Sequence, residues 1–225
     1  MQIRNTKAIE PSKINCLIIG DSGSGKTFLA STLPGKTLIF SFESGLLSLK
    51  GNGIDYIEFD SKNDKTNVAE MGKVLLSDQI APYDNLYFDS LTAIAESFVA
   101  LAKTEFPDTR QTLQMFGFLK QKLSSFIRFT RDLNKNVFFT CLPKTTQDEL
   151  NRRFILPDIP GSLASSIGQY FDFVFYLHMH KKDDQEIRAL LTQNKDNILA
   201  KDRSGRLDMW EKPDLSLVIK KAFNE

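Results

Sequence analysis

Cysteine, histidine and any surplus of one charge are scarce in this chain. Of its 225 residues two are cysteine and two histidine, and 29 basic side chains stand against 28 acidic ones. Cys16 and Cys141 sit within or at the end of apolar, strand-like runs. That placement excludes a disulfide scaffold and a Cys/His metal centre, and it fits small core residues in a reducing compartment. A net charge of +1 excludes a global attraction to nucleic acid or an anionic membrane, so any such contact has to come from a local patch. No apolar run approaches the roughly 18 residues that span a bilayer, and Met1-Gln2-Ile3-Arg4-Asn5 opens no signal segment. A cytoplasmic protein without a membrane partner is the expectation. No repeat or low-complexity linker is present, and the length suits one domain with a sizeable core. The boundaries expected are a polar arm over residues 1–13 and a single domain over 14–225.

What the chain does have is Gly20-Asp21-Ser22-Gly23-Ser24-Gly25-Lys26-Thr27, which fills every fixed position of G-x-x-x-x-G-K-[ST]. Average composition yields such a match by chance in roughly one chain per hundred of this length. The surroundings narrow it further. Ile14-Asn15-Cys16-Leu17-Ile18-Ile19 reads as a buried strand, and Thr27–Leu33 as a short helical segment stopped by Pro34-Gly35. A strand feeding a glycine loop into a helix N-terminus makes a nest of N–H groups shaped for a triphosphate. Lys26 would neutralise the β- and γ-phosphates, and the Thr27 hydroxyl would ligate Mg²⁺. Further strands are expected at 37–42, 54–59, 85–89, 136–141, 171–178, 187–192 and 198–201, with helices at about 66–77, 91–104 and 112–134. Residues 142–161 read as a long loop of the kind that is functional or mobile. Early alternation of strands and helices predicts an α/β fold, a mostly parallel twisted sheet with helices on both faces.

Asn85-Leu86-Tyr87-Phe88-Asp89 is a buried strand ending in an acid. Asp89 can hold the water shell of Mg²⁺, or cap the helix that begins at Leu91. Hydrolysis needs a base at the same sheet edge, on a strand adjacent to the loop. Glu43, ending the second strand, is the candidate, against the alternative of a solvated turn glutamate. Lys201 and Arg203 flank Asp202 on an extended segment, so their heads share one face and could reach a γ-phosphate in cis or across a subunit interface. They read equally as an exposed basic turn before Gly205. His178 and His180 share a strand face, too few for a metal site. From Lys103 to Lys135 there are seven cations against three acids, and Lys144, Arg152, Arg153 and Phe154 in the 142–161 loop place cations beside an aromatic ring. A solvated helix face and a mixed-charge loop explain these as well.

The order of parts — Walker A, Phe42-Glu43-Ser44-Gly45, Leu86-Tyr87-Phe88-Asp89-Ser90-Leu91-Thr92 and a late Lys-x-Arg — resembles the RecA-like ATPase core over about residues 12–210. Within it the chain is similar to the compact Sak-type single-strand annealing ATPases of phages. The resemblance implies a RecA-like P-loop fold and a Mg²⁺-dependent ATPase with Glu43 as base. It implies Lys201 and Arg203 as cations reaching a neighbouring subunit's nucleotide, in a homo-oligomer. It further implies binding of single-stranded DNA by loops near 103–114 and 142–161, with Lys103, Arg110, Lys144, Arg152, Arg153 and Phe154 in contact. Annealing or recombination, alongside single-strand DNA-binding or replication proteins, is the expected setting. One departure stands out: where recombinases end the strand at 136–141 with Gln, and relatives with His, this chain has Thr140-Cys141. Two other classes stay open, a P-loop kinase acting on a nucleotide or small molecule and a nucleotide-dependent replication scaffold or loader.

Overall fold

The computed structural model describes residues 13–60, 64–182 and 185–224, with only the backbone in the 180–186 stretch. The arm expected at 1–13 lies, but for Lys13, outside the described residues. Apolar residues at every position, not every second one, mark strands covered on both faces. Here β1 (Asn15–Gly20), β2 (Thr37–Ser41) and β4 (Asn85–Asp89) are buried throughout. β5 (Asn136–Cys141) is buried but for its first residue. β3 (Asp55–Glu58) is mostly exposed and ends the sheet. β8 (Phe173–Lys182), β9 (Gln185–Leu191), β10 (Lys201–Asp202) and β11 (Trp210–Glu211) complete nine strands among the described residues, in the order β11-β9-β8-β1-β5-β4-β2-β3 with β10 beside β8. The run β8-β1-β5-β4-β2-β3 is parallel, and β9, β10 and β11 pair antiparallel.

On one face α1 (Asp64–Leu75), α2 (Leu91–Glu105), α3 (Thr112–Arg131) and the short α4 (Leu163–Ser166) cover an aromatic row. Parallel register sets Phe40 opposite Phe88 and Phe88 opposite Phe139, and the spacing of neighbouring strands stacks both pairs at 4.6 Å. Phe126 of α3 packs edge-on against Phe88 and Phe139. The other face buries Ile18, Tyr87, Phe138 and Leu190 beneath the Thr27–Thr32 turn and α5 (Leu215–Phe223). Asp214 caps α5 by accepting from the Ser216 and Leu217 N–H groups.

Two expectations change. Residues 142–161 are not a long loop: β6 (Pro143–Gln147) and β7 (Arg153–Pro157) form an antiparallel hairpin. Reciprocal bonds hold it, the Ile155 N–H donating to Asn197 and the Leu199 N–H to the Ile155 carbonyl, at 3.0 and 3.1 Å. The segment after Lys26 is a six-residue 3₁₀ helix without a side-chain cap, too short to contribute a full helix dipole.

Candidate nucleotide site

β1 carries the chain to the C-terminal edge of the sheet, where Gly20 lies opposite Leu177. The loop then turns back through Gly23 at φ +76° and Gly25 at φ +102°, conformations that side chains with a Cβ rarely adopt. Among the described residues the N–H groups of Gly23, Gly25 and Lys26 have no backbone acceptor, so they remain available to an anion. Two tyrosines brace the loop from below: Tyr87 donates to the Lys26 carbonyl at 2.5 Å and Tyr176 to the Asp21 carboxylate at 3.2 Å. The buried Lys26 ammonium folds onto the Gly20 and Asp21 carbonyls at 2.7 and 2.9 Å. Burial pushes it below the ordinary lysine range, while the charges of Asp89 and Glu43 oppose that shift.

β5 lies between β1 and β4, and β2 stands beyond β4, so neither Asp89 nor Glu43 is on a strand adjacent to the loop. The expected adjacency is thus corrected, although the same edge still collects them. Buried Asp89 accepts from Thr27 at 2.6 Å and from Thr140, the next-to-last residue of β5, at 2.5 Å. A buried carboxylate has to be satisfied, and two hydroxyls do it here. Asp89 does not cap α2; Ser90 does, accepting from the Ala93 N–H at 3.3 Å. The Asp89–Ser90 peptide is cis. Ser90 Oγ also donates to the Glu43 carboxylate, which fixes an otherwise exposed side chain over the edge. Replacing Thr140 with Val should strip Asp89 of one donor and cost about 1–3 kcal/mol, read as a lower urea midpoint; an unchanged midpoint would show that water takes the place of the hydroxyl.

Lys201 and Arg203 are not brought to this site. Lys201 pairs with Val174, and Arg203 N donates to Asp172, whose own N–H bonds the Asn15 carbonyl. That is level with the start of β1, five residues or about 16 Å from Gly20 along the strand. Lys201 Nζ donates to the Gly168 and Phe171 carbonyls at 2.9 and 2.7 Å, and Arg203 pairs with Asp172 at 2.5 Å. A role in cis is therefore overturned by strand order: β10 pairs with the lower half of β8. The two heads do share a face, as alternation predicts, with Asp202 turned away onto Ser204 and Leu207.

Of the DNA candidates, Lys103 and Arg153 are exposed, Arg110 pairs with Asp108, Lys144 with Asp158 and Arg152 with Asp148, and the Arg152 guanidinium lies 5.9 Å from the half-buried Phe154 ring. Both cysteines are buried as free thiols, and burial pushes Cys141 up to about 12. The His180 side chain lies outside the described residues, and no metal-binding cluster is present among those described. Ser90, Tyr87 and Tyr176 were not singled out by sequence. Ser90 alone had a visible signal, since a serine before an apolar helix is a capping position.

A glycine loop at the end of β1, a buried lysine and a Thr–Asp pair at one edge of a mostly parallel α/β sheet define a nucleotide-binding P-loop NTPase. The chain belongs to the AAA domain family, whose profile matches residues 12–204. No curated protein matches it in sequence. Among solved structures it is similar to the flagellar accessory protein FlaH from Methanocaldococcus jannaschii, at 14% identity over 79% of this chain and 78% of that one, with a TM-score of 0.43. No helix among the described residues is long and apolar enough to cross a membrane.

Proposed function

We propose that this protein is a RecA-like, Mg²⁺-dependent ATPase that hydrolyses ATP with Glu43 as base and acts on single-stranded DNA as a homo-oligomer. The observation that carries the hydrolytic half is the Glu43–Ser90 hydrogen bond beside the Thr27–Asp89–Thr140 cluster. Thr27 and Asp89 form a hard oxygen set suited to Mg²⁺, Thr27 directly and Asp89 through water. Held there, Mg²⁺ would supply charge neutralisation for the transferring phosphoryl group. Lys26 exchanges its carbonyl partners for phosphate oxygens. Ser90 holds the Glu43 carboxylate in place, so that the proton of an attacking water has an acceptor that needs no reorientation. Formation of ADP and phosphate, with no phosphorylated acceptor among the products, separates this from the kinase reading. Tight ATP binding without turnover would favour the scaffold.

The DNA half draws on a contact between the foot of the β6–β7 hairpin and α3, the helix that begins within the 103–114 segment. A Cβ on Gly161, at the foot of the β6–β7 hairpin, would meet the Phe116 ring of α3 at 3.4 Å. Phe106 packs on Phe118 at 5.6 Å and closes the α2–α3 tip. Exposed pairs such as Arg152–Asp148 contribute only about 0–1 kcal/mol, so phosphates can displace their acids. With Arg152 and Arg153 both replaced by Ala, the slope of log affinity for oligo(dT) against log salt should shrink by about 1.4, near 0.7 per lost contact. No binding of single strands at low salt would remove the DNA half and leave the ATPase half standing. Solution mass with ATP and oligonucleotide tests the oligomer, in which Lys201 and Arg203 could face only a neighbour's nucleotide.

A further inference from the structure

We propose that Arg188 is a second phosphate-binding cation of the P-loop, supplied in cis by the β8–β9 hairpin. Its placement follows from register. Gly20 lies opposite Leu177 on β8, and Arg188 pairs with Met179, two residues further along. The hairpin therefore continues past the loop and stands beside it. Alternation then puts Arg188 on the same face as Leu190, which packs in one cluster with Leu29 and Ala30 of the turn that follows the loop. The guanidinium ends against Gly25: a Cβ built there would lie 2.9 Å from Nη1 and 3.7 Å from Cζ. The φ of +102° is what requires glycine at position 25, and the absence of a Cβ leaves room for the guanidinium to lie against the loop.

Arg188 is exposed, and among the described residues no hydrogen bond or ion pair engages it. The nearest loop acid, Asp21, accepts instead from Tyr176. A planar donor fork with no carboxylate partner among the described residues, held against the loop at Gly25, suits an oxyanion with several acceptor oxygens. The chemical class is a nucleoside di- or triphosphate. This inference rests on nucleotide occupying the P-loop, and it assigns in cis the cation that Lys201 and Arg203 cannot supply to their own site.

The test is calorimetric titration of ATP and ADP, with Mg²⁺, into the full chain and its Arg188→Ala, Arg188→Lys and Lys26→Ala variants, with circular dichroism confirming the fold of each. Arg188→Ala should weaken both nucleotides by about ten- to a hundredfold, the range for one charge-assisted hydrogen bond, and Arg188→Lys should recover part of the loss. Wild-type affinity in Arg188→Ala together with loss in Lys26→Ala overturns the proposal while the P-loop reading stands. Wild-type affinity in both overturns the reading of the loop itself. A mixture of Arg188→Ala and Lys26→Ala subunits separates cis from trans. An arginine lent by a neighbour would restore wild-type sites on mixing and overturn the assignment in cis; no restoration supports it.

Discussion

Replacing Glu43 with glutamine should leave ATP bound and reduce its hydrolysis by about 10²- to 10⁴-fold, the range over which a positioned general base contributes. Glutamine keeps the length of the side chain and an oxygen that accepts from Ser90 Oγ, so the edge of the sheet keeps its shape. What it loses is the ability to take a proton. The ground-state contacts to phosphate proposed above are those of Lys26, Arg188 and the loop N–H groups, and among the described residues none of these hydrogen-bonds to Glu43. The loss should therefore fall on turnover at saturating ATP and spare the dissociation constant. Single-turnover release of phosphate, measured beside equilibrium binding, checks both parts. Retained turnover would return Glu43 to a solvated turn and move the base elsewhere on the edge.

Replacing Lys26 with alanine should weaken ATP by at least about a hundredfold, since charge-assisted hydrogen bonds to two phosphate groups are worth roughly 3 kcal/mol or more together. The ammonium is desolvated and rests on two neutral carbonyls, and burial pushes it below the ordinary lysine range. Phosphate oxygens offer it a full counter-charge in the same place. Arginine should not restore binding, because its planar fork is longer and does not reproduce a compact ammonium inside the loop. Titration calorimetry of both variants is the measurement. Alanine binding ATP as tightly as the parent would show that the loop holds something other than phosphate.

The β1 strand, the loop and the Thr27 hydroxyl lie within the thirteen consecutive residues Asn15–Thr27, and their chemistry depends on spacing alone, so they could be read directly. The sheet's buried strands were legible for a related reason: covering on both faces removes polar residues from runs such as Leu86-Tyr87-Phe88. The β6–β7 hairpin was not, because Lys144-Thr145-Thr146-Gln147 is largely exposed and shows no alternation. Its stability comes from Ile155 docking on residues more than forty positions away. Helix α5 went unexpected although Asp214 with Leu215, Val218, Ile219 and Ala222 carries a cap and helical spacing; the preceding Lys212-Pro213 reads as loop.

For Lys201 and Arg203 local alternation gave the right face and the wrong end of the sheet, since which end a strand occupies depends on its partner. Arg188 shows the converse. Nothing around Ile187-Arg188-Ala189 distinguishes it from any exposed strand cation, and only the pairing of β9 with β8 carries it to Gly25. The P-loop lysine and threonine, the acids at two strand ends and the α/β class follow from residue order, because each depends on neighbours in the chain. Strand order, the insertion of β5 between β1 and β4, the Thr140–Asp89 bond and the cation at Gly25 follow from contacts between residues far apart in sequence. Such contacts form through the burial of whole faces, and no short stretch of residues encodes them.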